Sequence, residues 1–183
     1  MKKIGLILFC TIMCLFFAAC TKESNFEKGT HVDNKSSEQL YVEAGDYYLG
    51  LNGKEKNYKK AFSLLMQSAE LGHSKAQTEV ARMYYDGVGV NQNYEKAFYW
   101  FEKAAKKNDE IGLYNLGVIY KEGKYVKQDD VQALKYLEES SKKGLSEAQF
   151  TLGTMYYQGD GIKEDEQKGI QLYAQAAKQG HKE

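Results

Sequence analysis

A period of 36 residues runs through most of the chain and constrains its fold more than any other feature. Four segments fall into register at this interval: KKAFSLLMQSAELG from Lys59, EKAFYWFEKAAKKN from Glu95, VQALKYLEESSKKG from Val131 and QKGIQLYAQAAKQG from Gln167. A tyrosine recurs upstream at the same interval, at Tyr48, Tyr84, Tyr120 and Tyr156. A period of this length is typical of stacked supersecondary units. The sequence therefore predicts four copies over residues 38–183, the first of them atypical.

Each copy contains two helical patterns. In the first pattern, Leu116, Gly117 and Tyr120 are spaced i, i+1, i+4 and share one helix face. In the second, Phe98 and Phe101 follow an i, i+3 spacing. Proline is absent from the chain, so no residue of that type interrupts these helices. The predicted fold is all-α: an α-solenoid of about four helix-turn-helix repeats.

Small residues and glycines recur at two further places in each copy. The first-helix face carries a small residue at Gly45, Ala81, Gly117 and Gly153. We expect these residues to let the paired helices approach closely. Each copy then ends at Gly72, Asn108, Gly144 or Gly180. Gly and Asn suit the left-handed position that terminates a helix.

The stretch DGVGVNQNYEKAFYW, from Asp86, has two glycines that could form a phosphate-binding loop. Its counterparts begin at Gly123 and Gly159, and each one links two helical patterns with no strand before it. Tyr125 replaces the second glycine in one copy, and no copy carries the Lys-Ser/Thr of a nucleotide loop. The stretch is therefore predicted to be a tight turn that needs positive φ angles.

The first twenty residues, MKKIGLILFCTIMCLFFAAC, differ from the rest. Two lysines precede a fourteen-residue apolar run, Ile4–Phe17, which is short of the roughly 20 residues that span a bilayer. This pattern predicts a secretory signal over residues 1–19. All three cysteines lie in this part, so no disulfide is expected in the body. Residues 20–37 are polar and are predicted to be a flexible tether.

Cys20 is either one more apolar leader residue or a lipidation site. Phe17-Ala18-Ala19-Cys20 resembles a bacterial lipobox, although Phe17 stands where Leu is usual. The resemblance implies a palmitate-bearing lipoprotein whose membrane anchor is acylated Cys20. Thr21 follows in place of Asp, which favours the outer membrane and a domain facing the periplasm. Lys+Arg and Asp+Glu are both 25, so charge gives no indication of nucleic-acid binding.

The repeats closely resemble the Sel-one-like repeat family, which is related to the tetratricopeptide repeats. The segments Ala76 to Val90 and Lys96 to Asn108 follow the family pattern, with Val80-Ala81 in place of Leu-Gly. The match covers about four-fifths of the chain. The family implies a right-handed superhelix of helix pairs that acts as a protein-binding scaffold.

No catalytic or metal-binding constellation is visible in the sequence. His31 lies in the tether, and His73 and His181 follow repeat-ending glycines, where surface turns are expected. The S-x-x-K at Ser140–Lys143 lacks the partner motifs of penicillin-binding enzymes and falls on predicted packing positions. We therefore predict no catalytic residue, no metal and no cofactor.

The candidate site is the side of the first helices opposite to, or flanking, the Leu-Gly-Tyr face. In tetratricopeptide-like folds the first helices line a concave groove. The predicted protein-binding groove, called here the first-helix strip, consists of Arg82, Tyr85, Tyr114, Val118, Lys121, Phe150, Thr154 and Tyr157. Aromatic and Arg side chains are typical of interface hot spots. For Tyr114 and Phe150, partial burial between repeats is an equal alternative.

Three functions fit these observations. The leading hypothesis is an envelope-anchored interaction scaffold with a protein or peptide partner in the periplasm or envelope. A more specific alternative is an immunity lipoprotein that neutralises a toxic effector. An enzyme that acts on the cell wall or hydrolyses β-lactams is disfavoured, because no nucleophile and base pair is visible.

Overall fold

The computed structural model describes residues 35–180, which form eight α-helices joined by short connections, with no strand among them. The signal and lipidation predictions fall on residues outside this range, as does His181. The prediction of an all-α solenoid of four helix pairs is confirmed. The helices are α1 (Ser37–Leu49), α2 (Tyr58–Glu70), α3 (Ser74–Asp86), α4 (Tyr94–Ala105), α5 (Glu110–Glu122), α6 (Asp130–Lys142), α7 (Ser146–Gln158) and α8 (Glu166–Lys178). None of these helices is both long and apolar enough to cross a membrane.

The second helix of each pair begins in the same way. Its N-cap side chain accepts a hydrogen bond from the backbone N–H three residues on, which satisfies one of the free donors of the first turn. These N-caps lie 36 residues apart, at Asn57, Asn93, Asp129 and Asp165. Each pair closes on a residue with positive φ, as predicted, at Gly72, Asn108, Gly144 and Gly180.

The turn inside each pair is also as predicted. Gly87 has a φ of 73° and ends α3, and Gly89 follows with a φ of 71°. A Cβ on Gly89 would lie 2.5 Å from the carbonyl oxygen of Tyr58, so this turn packs against the preceding repeat. Tyr125 adopts a φ of 69° at the equivalent place, a conformation that costs a non-glycine residue energy. The glycine-rich stretch is a turn between helices.

Each helix packs mainly against the helices that precede and follow it in sequence. The core lies between them and forms two clusters of buried residues, one drawn from α1–α5 and a smaller one from α6–α8. The predicted core face is correct, since Leu116 and Gly117 are buried and Tyr120 is half-buried. Phe101, on the second-helix pattern, is also fully buried.

The expectation of close approach at the small first-helix positions holds for Gly117 and Gly153 but is wrong for Gly45. A Cβ on Gly117 would lie 2.7 Å from Cγ of Leu137, and one on Gly153 would lie 3.0 Å from the Tyr173 ring. A Cβ on Gly45 would meet nothing within 4 Å. The reason is that the space beside Gly45 is a cavity instead of a helix contact.

Candidate protein-binding surface

The first helices of neighbouring repeats are joined directly to one another by side chains of the strip. The Tyr85 hydroxyl, on α3, donates to a Glu122 carboxylate oxygen at the end of α5, at 2.9 Å. Nζ of Lys121, on α5, lies 2.7 Å from a carboxylate oxygen of Asp160, just beyond α7. The strip therefore runs over adjacent helices, as the repeat register requires.

The strip residues differ in how much they expose. The Tyr157 side chain is the most open of the aromatics, with 44 % of its surface accessible. Arg82 is also exposed, and the other six residues are half-buried. A half-buried aromatic ring on a repeat surface can still present one face to a partner.

The two cations of the strip already have acidic neighbours within the chain. Nη1 of Arg82 lies 3.5 Å from Glu79 on the same helix, and Lys121 pairs with Asp160. These ion pairs are partly exposed, so each holds its partner weakly. A partner carboxylate would have to exchange with Glu79 or Asp160 to engage these cations.

Tyr85 belongs to a polar cluster that joins the second repeat to the third. Nζ of Lys124 lies 2.9 Å from the Tyr85 hydroxyl and 2.9 Å from Glu122. Burial works against the charge of Glu122, but the hydrogen bonds from Lys124 and Tyr85 outweigh it and lower its pKa. The hydrogen bonds that Lys124 makes to Tyr85 and then to Glu122 raise the pKa of Lys124. Burial is the main cause of the raised pKa of Tyr85. The cluster is a structural tie as well as part of the surface.

The fourth-repeat part of the strip gathers around Tyr173, a residue of α8 that sequence reasoning did not select. Its ring centroid lies 5.2 Å from that of Phe150 and 6.2 Å from that of Tyr157, and its hydroxyl donates to Thr154. Tyr114 packs against the smaller core cluster. Tyr114 and Phe150 are both half-buried, and the contact of Phe150 with Tyr173 lies within the fourth repeat. Tyr173 was missed because it lies on a second helix.

His73 and Asp109 occupy equivalent loop positions, and each joins two repeats. His73 Nδ1 accepts from the Ala76 N–H at the start of α3, and its ring stacks on Tyr41 of α1 at 4.6 Å. Asp109 accepts from the Gly112 N–H, and its two oxygens also accept from Ser74 and Thr78 of the preceding repeat. Only 15 % of the His73 side chain is exposed, so this position is a repeat junction more than a surface turn.

A cavity of about 260 Å³ opens beside the strip, between α1 and α3. Sequence reasoning did not find it. Its lining residues are Tyr41, Val42, Ala44, Gly45, Tyr48, Leu49, Leu65 and Glu79. The sequence does contain an indication of this cavity. The position occupied by Ala44 is occupied by the larger Val80, Leu116 and Leu152 in the other copies. A smaller residue at a core position leaves space.

The S-x-x-K serines occupy packing positions, as predicted. Ser140 is fully buried and its hydroxyl donates to the Glu110 carbonyl oxygen at 2.7 Å. Ser141 is also buried. Within residues 35–180, no group of three His, Cys, Asp or Glu side chains could hold a metal ion.

The fold defines the chain as a helical repeat protein, a solenoid of four helix pairs. Its repeats match the Sel1 repeat over residues 42–73, 74–109, 111–145 and 146–181. The chain belongs to the Sel1 repeat family. Sel1-repeat solenoids typically mediate protein–protein interaction and are generally not enzymes.

Two solved structures share this fold. A Sel1 repeat protein from Oxalobacter formigenes matches with a TM-score of 0.75 and 28 % identity, over 80 % of this chain and 59 % of that one. A protective antigen present in uropathogenic Escherichia coli strains matches with a TM-score of 0.75 and 30 % identity, over 81 % of this chain and 32 % of that one. An uncharacterised protein of Neisseria meningitidis serogroup B is 40 % identical over 63 residues, which is 34 % of this chain and 13 % of that protein. The chain thus spans only part of each relative.

Proposed function

We propose that this protein is an envelope-anchored scaffold that binds a protein or peptide partner across the first-helix strip. The observation that carries the proposal is the accessible Tyr157 beside Tyr173 and Phe150, on a first helix that the Lys121–Asp160 ion pair joins to α5. Tyr and Arg are the side chains that most often dominate binding energy at protein interfaces.

Two features support binding along the strip. Its ion pairs are partly exposed to water, so they can be replaced by pairs with a partner at modest cost. Its aromatic rings are held by neighbours, since Tyr85 is hydrogen-bonded and Phe150 and Tyr157 pack on Tyr173. Side chains that are already ordered lose less conformational entropy when a partner binds.

The test is capture of a partner from envelope extract by the purified protein and by three variants, with mass spectrometry of the co-eluting protein. Tyr157→Ala and Arg82→Ala should each weaken capture, since hot-spot truncations cost about 2 kcal/mol or more. Tyr85→Ala should weaken it as well. Its effect is interpreted together with the free energy of unfolding, because Tyr85 also ties α3 to α5.

A matched set on the second helices serves as the control. Lys103→Ala, Glu138→Ala and Lys142→Ala change side chains of α4 and α6 and should leave capture unchanged. If this set abolished capture while the strip variants retained it, the partner would bind the second-helix side and the proposal would be wrong.

The anchor is proposed to be a lipid on Cys20. The Ala-Ala-Cys end of the leader and the polar residues that follow it support this proposal. Cys20→Ser should abolish labelling with a palmitate analogue and move the protein from the membrane fraction to the soluble fraction. Unchanged labelling and sedimentation of the variant would contradict it.

A further inference from the structure

The cavity between α1 and α3 is a vacancy in the repeat pattern. The core position that holds Val80 in the second copy, and Leu in the third and fourth, holds Ala44 here. Gly45 adds no side chain, and a Cβ there would meet nothing within 4 Å. The volume of about 260 Å³ is large enough for one long side chain of a partner.

The walls of this cavity are apolar, with one carboxylate. Leu65 and Ala44 form the buried part, and the side chains of Val42 and Leu49 are 55 % and 59 % exposed at its rim. Glu79 is the acidic residue of the lining. It pairs with Arg82 at 3.5 Å, which is beyond normal hydrogen-bond length, and Arg82 does not line the cavity.

Several acidic groups act on the cavity lining, although Arg82 partly offsets the charge of Glu79. Burial raises the pKa of the Glu79 carboxyl; Arg82 lowers it, and Asp109 raises it further. Burial raises the pKa of Tyr41, and the negative charges of Glu79, Glu38 and Asp109 raise it further. A cation placed in the cavity would therefore lie in a negative potential and replace solvation that Glu79 has lost.

We propose that this cavity binds an arginine side chain of the partner. The aliphatic stem of arginine would lie along Leu65 and Val42, and its guanidinium would form a bidentate pair with Glu79. Tyr41 and Tyr48 supply aromatic surface on which a guanidinium stacks well. A purely aliphatic side chain would leave Glu79 with only its 3.5 Å contact to Arg82, and an acidic one would be repelled.

This inference rests on the proposed function and names an anchor residue of its partner. The cavity lies on α1 and α3, so a peptide that follows the strip from α7 through α5 to α3 would reach it between the first helices of the first and second repeats. A long basic side chain would then enter the solenoid where its own repeats leave room.

The test is an NMR titration of the full chain, in detergent, with the tripeptide acetyl-Gly-Arg-Gly-amide. The matched control peptide carries citrulline, which has nearly the same shape but no charge. Saturable shifts are expected at the backbone amides of Gly45 and Glu79, with affinity for citrulline weaker by about tenfold or more, as for loss of a charge-assisted contact. Absence of saturable shifts at millimolar peptide, or equal affinity for citrulline, would overturn the inference.

Two variants locate the site by independent means. Ala44→Leu fills the cavity with the residue that the third and fourth copies use, and it should abolish the shifts. Glu79→Gln keeps the shape, and should weaken arginine binding about tenfold while leaving citrulline binding unchanged. Undiminished arginine binding in either folded variant would overturn the inference. Should Ala44→Leu fail to fold, Glu79→Gln still decides.

Failure of this inference differs from failure of the proposed function. If Tyr157→Ala loses partner capture but the arginine peptide produces no shift at Gly45, the strip stands and the arginine site is wrong. If the peptide binds in the cavity while Tyr157→Ala captures the partner normally, the arginine site stands and the strip is wrong.

Discussion

Gly45 and Gly117 occupy the same position of the repeat, and the same substitution should affect them in opposite directions. Both lie inside helices, where Gly→Ala gains about 1 kcal/mol of helix propensity. At Gly45 the new methyl meets nothing within 4 Å. We therefore expect Gly45→Ala to raise the free energy of unfolding by about 1 kcal/mol.

At Gly117 the packing opposes the propensity gain. The new Cβ would lie 2.7 Å from Cγ of Leu137 and 3.3 Å from the carbonyl oxygen of Ala133. Cγ is not the flexible tip of the Leu137 side chain, and this residue is fully buried. Overpacking typically costs about 1–3 kcal/mol, so the net effect should be a loss of up to about 2 kcal/mol.

Urea denaturation followed by circular dichroism measures both changes. The midpoint should rise for Gly45→Ala and fall for Gly117→Ala, with similar slopes for all three proteins. The Gly117→Ala penalty should shrink in a Leu137→Ala background, because the clashing atoms are then gone. A gain for Gly117→Ala, or an unchanged penalty in the Leu137→Ala background, would refute the role assigned to this contact.

Three further substitutions test the repeat junction and the partly buried carboxyl of Glu79. Asp109→Ala should cost about 1 kcal/mol for the lost N-cap and about 1–3 kcal/mol more for the unpaired hydroxyl of buried Thr78. Asp129→Ala should cost only the cap, about 1 kcal/mol. Equal midpoints of the two variants in urea denaturation would contradict this. Burial raises the pKa of Glu79 above its usual 4.5. Ionised Glu79 therefore lowers the free energy of unfolding at pH values above the raised pKa, and this penalty disappears as the pH falls toward the pKa of the unfolded chain. As the pH is lowered from 7 to 4, the melting temperature of the wild type should therefore rise relative to that of Glu79→Gln. A fall would show that the pKa of Glu79 is lowered instead.

Helix positions and core faces could be predicted from the sequence because they depend on local periodicity. Leu116 and Phe101 are buried because apolar residues at helical spacing must share a face. The glycine turns could also be predicted, because a positive φ such as that of Gly87 is favoured by glycine whatever the residue packs against.

The contacts across repeats could not be predicted in this way, because they depend on which residue lies opposite. Gly45 and Gly117 look equivalent in the sequence, yet one borders a cavity and the other contacts Leu137. His73 was predicted to lie in a surface turn because it follows a repeat-ending glycine. In the structure its ring is covered by Tyr41 of α1. Tyr173 was overlooked because sequence reasoning assigned the surface to first helices alone.

Because the core is divided into two clusters of different size, local stability should differ along the solenoid. The larger cluster links α1 to α5, whereas the smaller one holds four buried residues, Leu137, Leu152, Met155 and Leu172. Ile170 of α8 is 55 % exposed. Because fewer buried side chains hold α8 than hold α4, backbone amides of α8 should exchange with deuterium well before those of α4. Tyr157 and Tyr173 pack on this smaller cluster's side of the solenoid, and a partner that binds there should slow exchange in α8.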